Sequence, residues 1–247
     1  MLTEKLGTTL ETKYVFPLPA AQWLQEWLDV HCLHDVKFAR GRVYSLYYDT
    51  PSLALYAEKE NSDYIKTKIR LRWYSPSTDL PPEDSLSADG SSSDSTVPCF
   101  LELKRKVGVT REKRRLQVQV PAVALYGQPF LDPFLRALPF DAYGLGDVSP
   151  AEFVPAAIVQ YQRRRYVDPV SGARLSLDSE ICCRQANDEL FPDPVSVSLA
   201  WGVFEVKGTD GEIPRVLEPV SSLLSKEAFS KYGTIVDALR DPVGFRH

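Results

Sequence analysis

The chain has 247 residues and a formal net charge of −4, with 44% hydrophobic and 25% charged residues. This hydrophobic fraction is enough for a packed core, and we expect a single domain over residues 1–247. The negative net charge excludes a generally basic protein that coats nucleic acid, so we expect no nucleic-acid partner.

Targeting signals and common catalytic signatures are missing from the sequence. No apolar run approaches the roughly 18 residues of a transmembrane helix, and the N-terminus lacks the apolar core of a signal peptide. We therefore expect a soluble, cytoplasmic protein. The four cysteines lack C-x-x-C spacing, which argues against structural zinc and a disulfide framework. The three histidines have no nucleophile motif beside them, so a histidine-based triad has little support.

The first third of the chain predicts strands separated by helical segments. The predicted strands are 10–16, 43–49 and 64–74. Apolar residues at helical spacing predict an amphipathic helix over 20–30, with a short helical turn starting at Thr50. The residues of the first helix that we place in the core are Trp23, Leu24, Trp27 and Leu28.

Residues 75–98 are rich in serine, aspartate and proline and hold almost no core-forming residues. This composition predicts a mobile insert at 76–97 between two paired strands. A lid over a binding site is the alternative. We expect the insert to be dispensable, so that a short Gly/Ser linker in its place would leave stability and turnover nearly unchanged.

The rest of the chain predicts more strands and then a helical end. The predicted strands are 99–107, 111–120, 154–168, 173–184 and 201–208. The predicted helical segments are two short helices within 121–138, followed by 214–224 and 226–239, and 139–152 is expected to be an irregular link. The fold class is therefore α+β and mainly β, with about eight strands in an antiparallel sheet flanked by helices. Closure of this sheet into a barrel would direct polar faces inward.

Several predicted strands carry cations along one face. Successive side chains of a strand point to opposite sides, so residues 64–74, YIKTKIRLRWY, separate four cations from mainly apolar residues. The charged faces found in this way are Lys66, Lys68, Arg70 and Arg72; Glu102, Lys104 and Lys106; Arg111, Lys113 and Arg115; Arg163 and Arg165; Arg174, Asp178 and Glu180; Glu11 and Lys13; and Glu205 and Lys207. One such strand is usually an ordinary strand with its charges in water. The repetition indicates a shared cationic surface.

A shared cationic surface predicts an anionic ligand, because burying like charges without one costs several kcal/mol per ion. Arginine forks and lysine point charges suit phosphate oxygens, so a linear triphosphate or a longer phosphate chain fits best. Four carboxylates lie among the cations, namely Glu11, Glu102, Glu180 and Glu205. Such a carboxylate either neutralises a neighbouring lysine or holds Mg²⁺ or Mn²⁺ together with phosphate, and both alternatives stay open.

The motifs also resemble those of a known family. They are TKYVF, SLYYDT, IRLRWY, LELKRK, K-x-R at Lys113 and Arg115, Y-x-R at Tyr161 and Arg163, RLSLD, FEVKG and a final SKY, over about residues 11–233. Together they resemble the VTC polyphosphate polymerase domain, a member of the CYTH or triphosphate tunnel metalloenzyme group. The resemblance implies a closed eight-stranded antiparallel tunnel with a polar, cationic interior.

The resemblance and the charged faces together give the expected site. The expected catalytic residues are Arg70, Arg72, Arg163 and Lys104. The expected phosphate-binding residues are Lys13, Lys68, Lys106, Lys113, Arg115, Arg174, Lys207, Ser230 and Lys231. The expected metal ligand for Mn²⁺ or Mg²⁺ is Glu205, with Glu102 and Glu11 as further candidates.

The implied activity is transfer of the γ-phosphoryl group of ATP to inorganic polyphosphate. Thr9 stands where the hydrolase branch of the group has the first glutamate of its E-x-E-x-K pattern, which favours a polymerase. Lys106 stands where polymerase relatives often have histidine. We expect a free-standing catalytic domain, with any membrane coupling supplied by a separate membrane-protein partner. The alternatives are a tripolyphosphatase or nucleoside triphosphatase, and a non-catalytic module that binds polyphosphate or inositol phosphates.

Overall fold

The computed structural model describes residues 10–75, 95–143, 153–208 and 213–242. The segments in which polar and apolar residues alternate form strands. Within these residues the long strands are β1 Leu10–Pro17, β3 Arg40–Asp49, β4 Ile65–Ser75, β5 Thr96–Val107, β6 Thr110–Pro121, β7 Val154–Val167, β8 Arg174–Ala186 and β10 Trp201–Gly208. Three two-residue strands are β2 Leu33–His34, β9 Val197–Ser198 and β11 Ser225–Lys226. The predicted number of long strands is therefore confirmed.

Helices connect and cover these strands. The α-helices of the described chain are α1 Ala21–His31, α2 Ala54–Glu60, α3 Ala122–Tyr126, α4 Pro133–Tyr143 and α5 Lys231–Arg240. Segments of 3₁₀ helix span Leu18–Ala20, before α1, and Arg215–Leu223, before β11. The fold is a mainly antiparallel β-sheet with flanking helices. None of the helices within the described residues is both long enough and apolar enough to cross a membrane.

The strand order differs from that of the expected tunnel. Across the described residues eleven strands form the sheet, and its order ends at β11 on one side and at β6 on the other. A closed tunnel of eight strands would need its terminal strands to pair. Closure is therefore not confirmed.

The first of two compact units comprises Met1–Arg42, Tyr161–Ile181 and Ser198–Ser230. Its strands follow the order β11–β1–β10–β8–β7. The core residues of these strands include Tyr14, Phe16, Tyr166, Leu175, Leu177, Phe204 and Val206, and they pack with Leu24 and Leu28 of α1. Because side chains alternate along a strand, the opposite face of β1 and β10 carries the predicted charged residues.

The second unit comprises Val43–Gln160, Cys182–Val197 and Lys231–His247. Its strands follow the order β7–β3–β4–β5–β6. The core residues include Leu46, Ile69, Leu71, Trp73, Leu101 and Leu103 from the strands, with Leu125 from α3 and Leu135 from α4. The tight turn between β5 and β6 uses Gly108, whose φ of +57° is a left-handed conformation that glycine adopts readily. The predicted hairpin is confirmed.

Buried Asp49 connects two helices of the second unit. Its carboxylate accepts hydrogen bonds from the backbone N–H groups of Leu55 (2.8 Å) and Tyr56 (3.0 Å), which caps the first turn of α2. The same carboxylate accepts a hydrogen bond of 2.8 Å from the hydroxyl of Tyr232 at the start of α5. Asp49 therefore fixes where α5 begins relative to strand β3.

Four local predictions need correction or lie beyond the described residues. Trp23 is 46% exposed, and stacks on Trp27 instead of entering the core. Helix α4 continues through Pro139 to Tyr143, because its side chains pack on the core and the Tyr143 hydroxyl donates to Leu101 O at 2.7 Å. Residues 226–230 are not helical, since Ser225–Lys226 pairs with β1. The predicted insert lies outside the described residues except for 95–97.

Candidate functional site

Strands β4, β5 and β6 of the second unit align cations in rows that run across the sheet. The cross-strand registers of β4, β5 and β6 give the rows Lys66–Lys106–Arg111, Lys68–Lys104–Lys113 and Arg70–Glu102–Arg115. These nine positions hold eight cations and one carboxylate. Like charges directly opposite one another destabilise a sheet. An anionic ligand would remove this repulsion.

Glu102 is the counter-ion within these rows, and it is 4% exposed. Arg70 Nε donates to Glu102 Oε2 at 2.7 Å, and Arg70 Nη2 lies 2.6 Å from the same oxygen. Arg72 and Arg115 approach the carboxylate at 3.8 and 3.6 Å. Burial acts to raise the pKa of Glu102, but the charges of Arg70 and Arg72, a hydrogen bond from Arg70 and the charge of Lys113 lower it to about 2. The carboxylate therefore stays ionised and holds the arginines in place.

Polar and aromatic neighbours fix the orientation of these arginines. Arg72 is 8% exposed, and its Nε donates to Ser45 Oγ at 3.3 Å. The guanidinium of Arg115 lies 3.9 Å from the centre of the Phe100 ring, within cation–π range. Arginines restrained in this way lose less conformational entropy when they bind a phosphate oxygen.

The start of α5 lies beside Tyr47 of strand β3 in the same unit. The ring of Tyr232 stacks on the ring of Tyr47, with centroids 4.7 Å apart and an interplanar angle of 14°. Arg70 Nη1 donates to the Tyr47 hydroxyl at 3.3 Å. Lys231, which precedes Tyr232, is the first residue of α5. The stacked rings therefore couple the position of this predicted phosphate-binding lysine to Arg70.

The first unit holds a buried arginine with two carboxylates. Arg163 is 8% exposed and donates from Nε and Nη2 to the two oxygens of Asp178, both at 2.6 Å. Its Nη2 also donates to Glu205 Oε2 at 3.3 Å. Burial acts to lower the pKa of Arg163, but the charges of Asp178, Tyr161 and Glu205 raise it well above its usual value. Arg163 is therefore a permanent cation that orients Glu205.

Carboxylates and lysines alternate on strands β1 and β10 of the first unit. Lys13 lies opposite Glu205, and Glu11 lies opposite Lys207. Lys13 Nζ lies 3.7 Å from Glu11 Oε1 and 3.8 Å from Glu205 Oε1, and Lys207 Nζ lies 3.5 Å from Glu11 Oε2. On the far side of β10, Arg174 lies opposite Lys207. Unlike the rows of the second unit, this surface places a carboxylate beside each of its two lysines.

These carboxylates allow a test of whether a divalent cation fits. In the described residues, no three histidine, cysteine, aspartate or glutamate side chains form a metal-binding group. Glu11 and Glu205, on either side of the Lys13 ammonium, supply the oxygen donors that Mg²⁺ and Mn²⁺ prefer. Two carboxylates with phosphate oxygens are a common set of ligands for Mg²⁺. The pair therefore fits a metal that arrives together with a phosphate ligand.

Comparison with known proteins identifies the family of the chain. A family model of the VTC domain matches residues 9–240. The chain belongs to the VTC domain family. The resemblance drawn from the sequence motifs is therefore confirmed. A search of curated proteins gives no significant match to this VTC domain.

A solved structure shares the fold of this VTC domain, and a second one is less similar to it. A “putative adenylate cyclase” from Bacillus halodurans is 13% identical, with a TM-score of 0.50 over 90% of this chain and 93% of that chain. A “putative adenylate cyclase” from Vibrio parahaemolyticus is 12% identical, with a TM-score of 0.46 over 94% of this chain and 100% of that chain. At 13% identity, the similarity to the Bacillus halodurans protein shows a shared fold and nothing about activity.

The predicted site residues of the VTC domain fall into two groups. Those of the second unit are Lys68, Arg70, Arg72, Glu102, Lys104, Lys106, Lys113 and Arg115 on the hairpin strands, with Lys231 on α5. Those of the first unit are Glu11, Lys13, Arg163, Arg174, Glu205, Lys207 and Ser230. Lys13 Nζ donates to the carbonyl of Phe229, the residue before Ser230, at 3.4 Å.

Sequence reasoning assigned no role to three residues that organise these groups. Asp178 holds Arg163, Ser45 holds Arg72, and Tyr47 contacts Arg70. The available signal was the polar alternation of Ser45, Tyr47 and Asp49 along an otherwise apolar and aromatic strand. Such alternation predicts a polar face, although it does not indicate which arginine each side chain contacts.

Proposed function

We propose that this VTC domain is a metal-dependent polyphosphate polymerase, which transfers the γ-phosphoryl group of ATP to inorganic polyphosphate. The observation that carries the proposal is the set of cross-strand rows, in which eight cations accompany a single carboxylate. Membership of the VTC family supports a role in phosphate binding or transfer. A long anion with regularly spaced charges is the ligand that suits successive rows of cations.

The proposed reaction is an in-line phosphoryl transfer. A terminal oxygen of the polyphosphate chain attacks the γ-phosphorus of ATP, and the bond between that phosphorus and the β–γ bridging oxygen breaks. ADP leaves, and the chain grows by one phosphate. Because such a transfer depends on positioning and charge neutralisation, it needs no nucleophilic side chain.

We assign the predicted roles to residues as follows. Arg70, Arg72 and Lys104 are proposed to neutralise phosphate charge in the second unit, with Glu102 as the counter-ion that aligns the arginines. Glu205 and Glu11 are proposed to hold Mn²⁺ or Mg²⁺, which would neutralise further phosphate charge when bound. Five expectations stay predictions. They are the catalytic role of Arg163, the metal role of Glu102, the closed tunnel, the cytoplasmic location and a separate membrane-protein partner.

A product assay tests this proposal. The protein is incubated with ATP and either Mn²⁺ or Mg²⁺, and ADP, free phosphate and long polyphosphate are resolved. ADP with polyphosphate supports the polymerase. ADP with free phosphate would indicate a hydrolase, and no turnover with retained tripolyphosphate binding would indicate a binding module.

Adjacent arginines on β6 give a matched pair of variants for the assay. Arg115 faces Glu102, whereas Arg114 pairs with exposed Glu112 at 2.6 Å on the other face of the hairpin. The two side chains are similarly exposed, at 42% and 52%. Arg115→Gln should lower turnover and Arg114→Gln should leave it nearly unchanged. Equal effects would mean that the row of Arg115 does not bind the substrate.

A further inference from the structure

The hydroxyl of Tyr47, on strand β3, lies beside Arg70 of the cation rows and has a hydrogen to donate. Tyr47 is 6% exposed, and its oxygen accepts a hydrogen bond from Arg70 Nη1 at 3.3 Å. Among the described residues, no acceptor receives the hydrogen of this hydroxyl. A buried donor without an acceptor is costly unless a ligand satisfies it.

Three other buried tyrosines donate to a protein acceptor. The Tyr48 hydroxyl donates to Leu135 O at 3.0 Å, and the Tyr166 hydroxyl donates to Asp29 Oδ1 at 2.8 Å. The Tyr232 hydroxyl donates to the Asp49 carboxylate. Tyr47 differs from these three because its neighbour is itself a donor.

The surroundings of Tyr47 are strongly cationic. Strand β4 presents the charges of Lys68, Arg70 and Arg72 to the phenol. Helix α5 contributes the Tyr232 ring, which stacks on Tyr47. The Tyr232 hydroxyl donates to Asp49, and Cys183 of β8 lies near Tyr232. An anion held by the Nη1 edge of Arg70 would therefore lie next to the Tyr47 hydroxyl.

We propose that the Tyr47 hydroxyl is a further phosphate-binding group, which donates its hydrogen to a phosphate oxygen bound by Arg70. This inference rests on the proposed function only in requiring that the cation rows bind phosphate. It adds a neutral donor beside rows that are built from charged side chains. It also makes the phenol form of Tyr47 the form that binds.

The acid–base behaviour of Tyr47 makes this proposal measurable. Burial acts to raise the pKa of Tyr47, but the charges of Arg70, Arg72 and Lys68 and the hydrogen bond from Arg70 lower it to about 8. A bound phosphate adds negative charge, which disfavours the phenolate and raises that pKa. Binding above about pH 8 should therefore take up one proton, and the affinity should fall as pH rises.

Calorimetric titration with tripolyphosphate in the absence of metal tests the hydrogen bond. At about pH 7, Tyr47→Phe should weaken binding by about tenfold, the change expected from losing a hydrogen bond to a charged group. Tyr48→Phe is the matched control, because it removes a hydroxyl of the same strand that donates to the Leu135 carbonyl instead of facing Arg70. Its affinity should match that of the wild-type protein. The difference between wild type and Tyr47→Phe should shrink toward about pH 9, where the phenol is mostly ionised.

The ultraviolet absorbance of tyrosinate gives a second readout, which uses the wild-type protein itself. A tyrosine should ionise near pH 8 in the free protein. Adding tripolyphosphate at about pH 9 should decrease the tyrosinate absorbance as Tyr47 regains its proton. Tyr47→Phe should lack both the titration and the ligand-dependent decrease, whereas Tyr48→Phe should retain them.

The outcomes separate this inference from the proposed function. Tripolyphosphate binding that is equal in wild type and Tyr47→Phe at both pH values overturns the role of Tyr47 alone. An unchanged tyrosinate absorbance on ligand addition does the same. Failure of the wild-type protein to bind tripolyphosphate overturns the proposed function and the Tyr47 proposal with it.

Discussion

Glu102→Gln removes the single negative charge of the cation rows and leaves the side-chain volume almost unchanged. Glu102 is buried, and its carboxylate contacts Arg70, Arg72 and Arg115. A glutamine can accept hydrogen bonds from these arginines but cannot neutralise them. We expect the variant to be less stable at neutral pH, because three cations lose their shared counter-ion.

The lowered pKa of Glu102 sets the size of this effect and its dependence on pH. A change from the ordinary value of 4.5 to about 2 corresponds to about 3 kcal/mol of stability when the carboxylate is ionised. Removing one partner of a buried ion pair typically costs ~3–5 kcal/mol, which agrees. Because folding lowers the pKa, the contribution is complete above about pH 4.5 and is lost as the pH falls toward 2.

Denaturant unfolding at about pH 7 and about pH 3 measures this contribution, with buried Trp73 of the same unit as a fluorescent reporter. Glu102→Gln should cost about 3 kcal/mol at neutral pH and roughly half of that at about pH 3. The control is Glu112→Gln, whose carboxylate is 45% exposed and pairs with Arg114, and which should cost at most about 1 kcal/mol. Similar small costs for both variants, or a cost for Glu102→Gln that does not change with pH, would refute the reasoning.

Three further substitutions test the site and the fold. Arg70→Lys keeps the charge but loses the fork geometry, so calorimetry should show tripolyphosphate affinity reduced by about tenfold or more, and an unchanged affinity would place this side chain outside the site. Glu205→Gln should lower metal-dependent turnover by orders of magnitude and leave metal-free tripolyphosphate binding equal or tighter; full turnover at saturating metal would remove Glu205 from the metal site. Gly202→Ala would bring a Cβ to 1.9 Å from Cζ of buried Phe16, so thermal unfolding should show a loss of about 3 kcal/mol, the upper end of the usual cost of overpacking. Gly172→Ala, where nothing lies within 4 Å of the added Cβ but φ is +70°, should cost only about 1 kcal/mol, and a similar cost at Gly202 would contradict the packing there.

The helices show which features a local sequence pattern predicts and which it does not. Spacing of apolar residues was sufficient to predict α1, since Leu24 and Leu28 recur at one turn of a helix. It did not place Trp23, because the edge of an apolar stripe is buried only where a neighbouring element covers it. Similarly, residues 139–152 were predicted to form an irregular link, whereas packing of Phe140 and Tyr143 on the core continues α4 through Pro139 to Tyr143.

The sequence by itself determined which face of each strand is charged. The separation of Lys68, Arg70 and Arg72 from Ile69 and Leu71 follows from the two-residue repeat of a strand, which is a local property of the chain. The family and the number of long strands also followed from motifs and alternation within short segments.

Only the tertiary structure decided which charged groups meet. The pairing of Arg163 with Asp178 and the place of Glu102 between Arg70 and Arg115 depend on the registers in which these strands pair. A shift of one residue in any of these registers would turn the same side chains to the opposite face. The register is selected by the burial of the whole core, to which residues along the entire chain contribute, so no local pattern contains it.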